Sequence, residues 1–188
     1  MADIARGKAH NAILDLLLFV GENIHREGLE DTPERAVQAW IEWTEGYGMK
    51  PEDILTSFTD GGEDYDEMIL VKDIPFYSHC EHHMAPFFGV AHIAYIPSGR
   101  IVGLSKLSRL LDIYAHRLQV QERITSQVSQ ALMTHLEPIG VAVQLVARHL
   151  CMESRGIVKQ GHTTITTKLN GAFRSDAKAR AEFLALIK

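Results

Sequence analysis

The chain has 188 residues, of which 46% are apolar and 23% charged, the composition of an ordinary globular domain rather than a disordered one. Its formal charge of −5 and pI near 6.0 exclude a general nucleic-acid or anionic-membrane binder, which needs a basic surface. Only two cysteines occur, Cys80 and Cys151, so no disulfide framework holds the fold, and a reducing compartment is expected.

The first residues lack an apolar h-region and do not read as a secretory signal. The most apolar early stretch, Ile13 to Val20, is interrupted by Asp15 and falls short of the ~20 residues that span a bilayer. A soluble, cytoplasmic protein is the expectation. Ile13, Leu16, Leu17 and Val20 recur at helical spacing, with Gly21 as a stop. Asp31-Thr32-Pro33-Glu34 predicts a helix start: a capping side chain, proline in the first turn and an acid near the positive end of the dipole. Val37, Trp40, Ile41 and Trp43 continue that helix on one broad face until Gly46 and Gly48. Asp60 to Asp66 reads as an exposed loop.

Met68 to Phe76 and Phe87 to Ile96 then read as strands, the second apolar on both faces and therefore buried. Leu104 to His116 and Val120 to Leu136 read as helices. Ile139 to Cys151 is the clearest strand, with Ile139, Val141, Val143, Leu145 and Ala147 on one face at period two. Thr163 to Leu169 alternates like a half-exposed strand. Ser175-Asp176 caps a short last helix that ends in Leu184, Leu186 and Ile187. This order predicts an α+β fold with helices on one face of the sheet.

The densest chemistry is Ser78-His79-Cys80-Glu81-His82-His83. Cys80-x-x-His83 has the ligand spacing of a tetrahedral zinc corner. In extended chain Cys80 instead shares a face with His82, whereas Cys80 and His83 need a turn, so spacing leaves the two histidines open. The other thiol follows in Arg148-His149-Leu150-Cys151, where a continuing strand would set His149 and Cys151 on one face. Three protein ligands of the Cys2His type leave an open position, the catalytic zinc pattern; a closed structural site would add His82 or His149 as fourth ligand. His79-Cys80-Glu81 spells half of a zinc-deaminase signature, but the P-C-x-x-C partner is absent, as is the metalloprotease H-E-x-x-H.

Gly103-Leu104-Ser105-Lys106-Leu107-Ser108-Arg109 predicts a helix start at which backbone N–H groups, Ser105, Lys106 and Arg109 suit a phosphate. Composition alone favours an amphipathic helix there, with Leu107, Leu110 and Leu111 in the core and solvated cations. Glu122 opens the next helix as a first-turn acid, or as a carboxylate matching the paired donors of a guanine edge. Arg155-Gly156 follows the second cysteine as a further cation or a surface turn.

Taken together, these motifs resemble the GTP cyclohydrolase I family. The resemblance rests on Phe76-Tyr77-Ser78 with Cys80-Glu81-His82-His83, on His92-Ile93-Ala94-Tyr95-Ile96-Pro97 and on Gly103-Leu104-Ser105-Lys106. It continues through Arg117-Leu118-Gln119-Val120-Gln121-Glu122-Arg123 and His149-x-Cys151-Met152-x-x-Arg155-Gly156. It implies a tunnelling fold, a four-stranded antiparallel sheet with two helices on one face. Residues 1–60 would form an N-terminal helical region on the core and residues 61–188 the catalytic region. It further implies Zn2+ held by Cys80, His83 and Cys151, proton transfer by His82 and His149, and assistance from Ser105. Glu122 and Gln121 would read guanine, and Leu104, Lys106, Arg109 and Arg155 would hold the rest of GTP. A homo-oligomer, a decamer in the family pattern, is expected, with no nucleic-acid or membrane partner. The alternatives are a zinc-stabilised purine-nucleotide-binding module and a related tunnelling-fold enzyme without ring opening.

Overall fold

The computed structural model describes residues 2–188. The chain divides into two compact units, one ending at Glu45 and the other running Gly46–Lys188. The first holds helices α1 (Ala2–Phe19) and α2 (Thr32–Trp43). Gly21, at φ 85°, supplies the left-handed turn after α1 that a residue with a Cβ adopts only at a cost. Arg6 of α1 binds Glu34 and Gln38 of α2, the latter at 3.2 Å. Pro33 and Glu34 occupy the first turn of α2 as predicted, but Asp31 does not cap it. Its backbone is already helical (φ −92°, ψ 0°), which turns the side chain away from the free N–H groups. The carboxylate meets Arg35 at 2.6 Å instead. The broad apolar face is also interrupted, because Val37 is buried while Ile41 and Trp43 are exposed.

The second unit begins with α3 (Pro51–Ile54), β1 (Ser57–Phe58), β2 (Ile69–Cys80), β3 (Pro86–Ile96), β4 (Ile101–Val102), α4 (Leu104–Ala115), β5 (Leu118–Gln119) and α5 (Gln121–Leu136). It ends with β6 (Gly140–His149), α6 (Leu150–Glu153), β7 (Thr164–Gly171), α7 (Ala172–Ser175) and α8 (Ala177–Leu186). Strands β2, β3, β6 and β7 form the predicted four-stranded antiparallel sheet, to which β5 adds a short parallel edge beside β2. One face carries Phe76, Phe87, Ile93, Val141, Val143 and Leu145 against Leu107, Leu110 and Leu111 of α4 and Ile124, Val128 and Leu132 of α5. The period-two row of β6 is therefore core, apart from exposed Ile139 before the strand. On the other face Ala94 and Ala142 meet Phe173 of α7 and Phe183 of α8. The α8 cap is made as predicted, Asp176 accepting from the Lys178 N–H at 2.8 Å.

Two boundaries differ from expectation, and both matter. Strand β2 continues past Phe76 to Cys80, its pairing held by Ser78 opposite Phe87 and His79 opposite Pro86. Strand β6 stops at His149, and Leu150–Glu153 turns into a helical segment. His149 and Cys151 are thus not two residues of one strand face. Gly89 lets β3 and β6 approach here, since a Cβ would stand 1.9 Å from the Val146 carbonyl oxygen. The end of β2, the start of β3, the end of β6 and the start of α5 all meet at this end of the sheet.

Candidate active site

Register assembles the site. Phe87 lies opposite Ser78 on one side and His149 on the other, and Cys80 pairs with Gln119 of β5, two residues before Gln121 opens α5. After Cys80 the chain reverses: the Cys80 N–H donates to Ala85 O at 2.8 Å, and the His83 and Met84 N–H groups donate to Cys80 O. Met84 takes φ 55° to close this turn. The reversal selects His83 over His82. Its Nδ1 stands 3.9 Å from Cys80 Sγ, and one ligand atom from each of Cys80, His83 and Cys151 falls within 4.8 Å of the others. The side chain of His82 is 67% exposed and lies 3.9 Å from Glu81.

Two thiols and one imidazole converging on a single point are the donor set of an open Cys2His zinc site, whose ligand atoms would sit about 3.6 Å apart. The group therefore fits the metal with small side-chain adjustments. Burial and the neighbouring Cys80 thiol push the Cys151 thiol pKa up, opposed by the Arg155 guanidinium. Arg155 Nη1 also lies 3.3 Å from His83 Nε2.

Beside this group His149 stacks flat on the buried Phe87 ring, 4.6 Å between centroids and 4° from parallel. Its Nε2 is 2.8 Å from Gln121 Oε1. Burial lowers the His149 pKa most, while Glu122 pulls it the other way and His162 lowers it further. Glu122 is thus within electrostatic reach of the imidazole, on an exposed first-turn position of α5.

The structure gathers Cys80, His83, Cys151, Arg155, His149, Gln121 and Glu122 at one sheet end. Leu104, Ser105, Lys106 and Arg109 occupy the start of α4, on a different element. Among the described residues no hydrogen bond or ion pair joins them to the Cys–His–Cys group. The amphipathic-helix reading holds here, with Leu107, Leu110 and Leu111 fully buried and Ser105 and Arg109 exposed.

Sequence reasoning missed the braces of the site. Arg123 binds Glu81 through both terminal guanidinium nitrogens, Nη2 to Oε1 at 3.0 Å, tying the turn after Cys80 to α5. Arg123 donation is the main reason that the Glu81 pKa is lowered. Arg148 likewise binds buried Glu153, Nε to Oε1 at 3.0 Å. The available signal was the pairing of an acid in the Cys-Glu-His-His run with an arginine in Gln-Glu-Arg, but distance in sequence concealed it. Ser78 Oγ is buried without a hydrogen-bond partner among the described residues, on the core face two residues before Cys80.

An α+β sheet end that brings two thiols and an imidazole together beside an oriented histidine has a donor set that could hold a metal ion. A family model described as GTP cyclohydrolase I matches residues 9–188. The GTP cyclohydrolase 1 of Nitrosospira multiformis is 57% identical over 91% of this chain and 90% of its own length. That of Thermobifida fusca is 51% identical over 99% of this chain and 90% of its own. A solved structure, the archaeosine synthase QueF-Like in the apo form, covers 55% of this chain and 93% of its own at 16% identity, with a TM-score of 0.45. The chain belongs to the GTP cyclohydrolase I family of enzymes.

Proposed function

We propose that the protein hydrolyses and rearranges GTP to 7,8-dihydroneopterin triphosphate with release of formate, at the start of tetrahydrofolate and pterin synthesis. The observation that carries this reading is the convergence of Cys80, His83 and Cys151 beside a His149 held by Phe87 and Gln121. When bound by those three ligands, zinc supplies a Lewis acid that activates water at neutral pH.

The chain's own residues do the rest. His149 delivers a proton to N7 of the imidazole ring, so that C8 becomes electrophilic and takes up a water oxygen; as the C8–N9 bond breaks, one proton of that water goes to N9 and the other reloads His149, and a second hydrolysis releases formate. Glu122 accepts from guanine N1–H and the 2-amino group, a charge-assisted pair that matches the planar donor edge. Gln121, buried beside it, anchors the start of α5. Lys106, Arg109 and Arg155 neutralise the triphosphate, with Leu104 and Ser105 lining the sugar side. His82, exposed on the turn, is free to move a proton during ribose opening, and Ser105 assists the rearrangement. The working unit is a homo-oligomer, a decamer, in the cytoplasm.

Incubation of the zinc-loaded protein with GTP tests the proposal directly. Formate and a fluorescent oxidised pterin should appear in equal amounts. Tight GTP binding without formate would overturn it in favour of a nucleotide-binding module.

A further inference from the structure

The hydrogen at His149 Nε2 can be assigned from its neighbours. Gln121 is 1% exposed, and its Nε2 lies 3.1 Å from Leu145 O, 3.0 Å from Thr164 O and 3.1 Å from Thr166 Oγ1. Backbone carbonyls only accept, so this end of the amide is the NH2. A flipped amide would set its oxygen against two carbonyl oxygens. Gln121 Oε1 must therefore face His149 Nε2 at 2.8 Å. An amide oxygen only accepts, so His149 Nε2 carries the hydrogen and donates it.

Two threonines hold the amide in this sense. Thr125 donates to the Gln121 backbone carbonyl at 2.8 Å, which leaves its oxygen to accept from the Thr166 hydroxyl at 2.6 Å. Thr166 Oγ1 in turn keeps a lone pair for the Gln121 amide, whose two hydrogens are shared among Leu145 O, Thr164 O and Thr166 Oγ1. All these groups sit in a buried or half-buried layer between α5 and β7, where an unmet donor or acceptor costs about 1–3 kcal/mol. The chain of donors runs one way.

We infer that Gln121 is a positioning residue that holds neutral His149 as its Nε2–H tautomer and leaves Nδ1 as the ring nitrogen without a hydrogen. This rests on the reading of His149 as the proton-transfer group. A neutral imidazole has one N–H, and its cation has two. Phe87 fixes the ring plane, so the Nδ1 direction is fixed as well. Gln121 as a whole is buried, so its side chain presents no surface to a ligand.

Solid-state 15N NMR of histidine-labelled, zinc-loaded protein tests the tautomer, with His149→Asn identifying the His149 signals. The hydrogen-bearing nitrogen of neutral His149 should be Nε2; a hydrogen on Nδ1 overturns the inference. Gln121→Met removes both ends of the link at similar volume. It should mix the two tautomers and lower kcat about 10–100-fold, the usual cost of losing a group that orients a functional histidine, with KM within about twofold and zinc retained. A raised KM with unchanged kcat would make Gln121 a substrate contact and overturn the positioning role. The NMR result on unaltered protein does not depend on turnover or on the folding of Gln121→Met, so failure of the GTP reading and failure of this one are separable.

Discussion

Cys80 and Cys151 meet different surroundings, and that difference shapes what each substitution does. Cys80 is buried among core residues, whereas Cys151 is half-buried at a helical turn beside Arg155. Neither Cys80→Ser nor Cys151→Ser leaves a large void, but each replaces a soft thiolate with a poor zinc donor. Both variants should assemble, hold less than a tenth as much zinc by elemental analysis, and release no formate. Retained zinc in either would remove that residue from the ligand set. Glu122 acts elsewhere in the proposal, and Glu122→Ala should leave zinc content unchanged. Loss of a hydrogen bond to a charged group, ~1.5–3 kcal/mol, should raise KM for GTP about tenfold or more. The Cys–His–Cys group was legible in the sequence because cysteine is rare in it and each thiol stands within three residues of a histidine. Spacing alone left His82 and His83 open and the family resemblance named His83; the turn that brings His83 to Cys80 depends on Met84 at positive φ, and no glycine or asparagine announces it.

At the scale of elements, the sheet end was harder to read than the sheet. Strand β6 is apolar through Ala147, and nothing in the period-two pattern marks the switch to helix at Leu150. Strand β7 shows the opposite problem. Ile165 faces solvent and Thr166 faces inward, because the hydroxyl of Thr166 completes the buried network around Gln121. Hydrophobic alternation alone assigns those faces the wrong way round. The bulge in β2 between Val71 and Ile74 was equally hidden. Asp73 takes φ 58° there, and its N–H donates to Nδ1 of buried His92 at 3.1 Å. Burial lowers the His92 pKa most, with Lys72 adding to that and Asp73 opposing it. A histidine kept neutral in the fold but free to protonate when unfolded contributes stability that is full above its unfolded pKa, about 6.5. That contribution is lost as pH falls from there toward the lower folded pKa. Protonation of Nδ1 would also end its role as acceptor. Denaturation midpoints at about pH 7.5 and pH 5.5 should therefore differ less in His92→Asn, whose amide oxygen accepts at either pH. An unchanged difference would show that His92 does not contribute to acid sensitivity.

For the whole molecule the tension lies in charge. The chain carries −5, and its proposed substrate is a triphosphate that a uniformly acidic surface would repel. Lys106, Arg109 and Arg155 must make a local positive field strong enough to outweigh that background. Lys106 and Arg109 stand on α4, while Arg155 lies beside the Cys–His–Cys group, so the field arises from separate elements rather than from one run of sequence. Exposed charges of this kind are screened over about 8–10 Å at ordinary ionic strength and far more at high salt. Buried chemistry at His149 is screened much less. Raising salt from about 0.05 M to about 0.5 M should therefore increase KM for GTP several-fold while kcat stays nearly constant. Lys106→Ala should raise KM at low salt and flatten the salt dependence, because it removes one of the screened attractions. Steady-state kinetics of both proteins across that range, with sedimentation checking that the mass in solution does not change with salt, separates this from any effect on association. A kcat that falls with salt while KM holds would instead place the ionic sensitivity in the chemical step and not in phosphate capture.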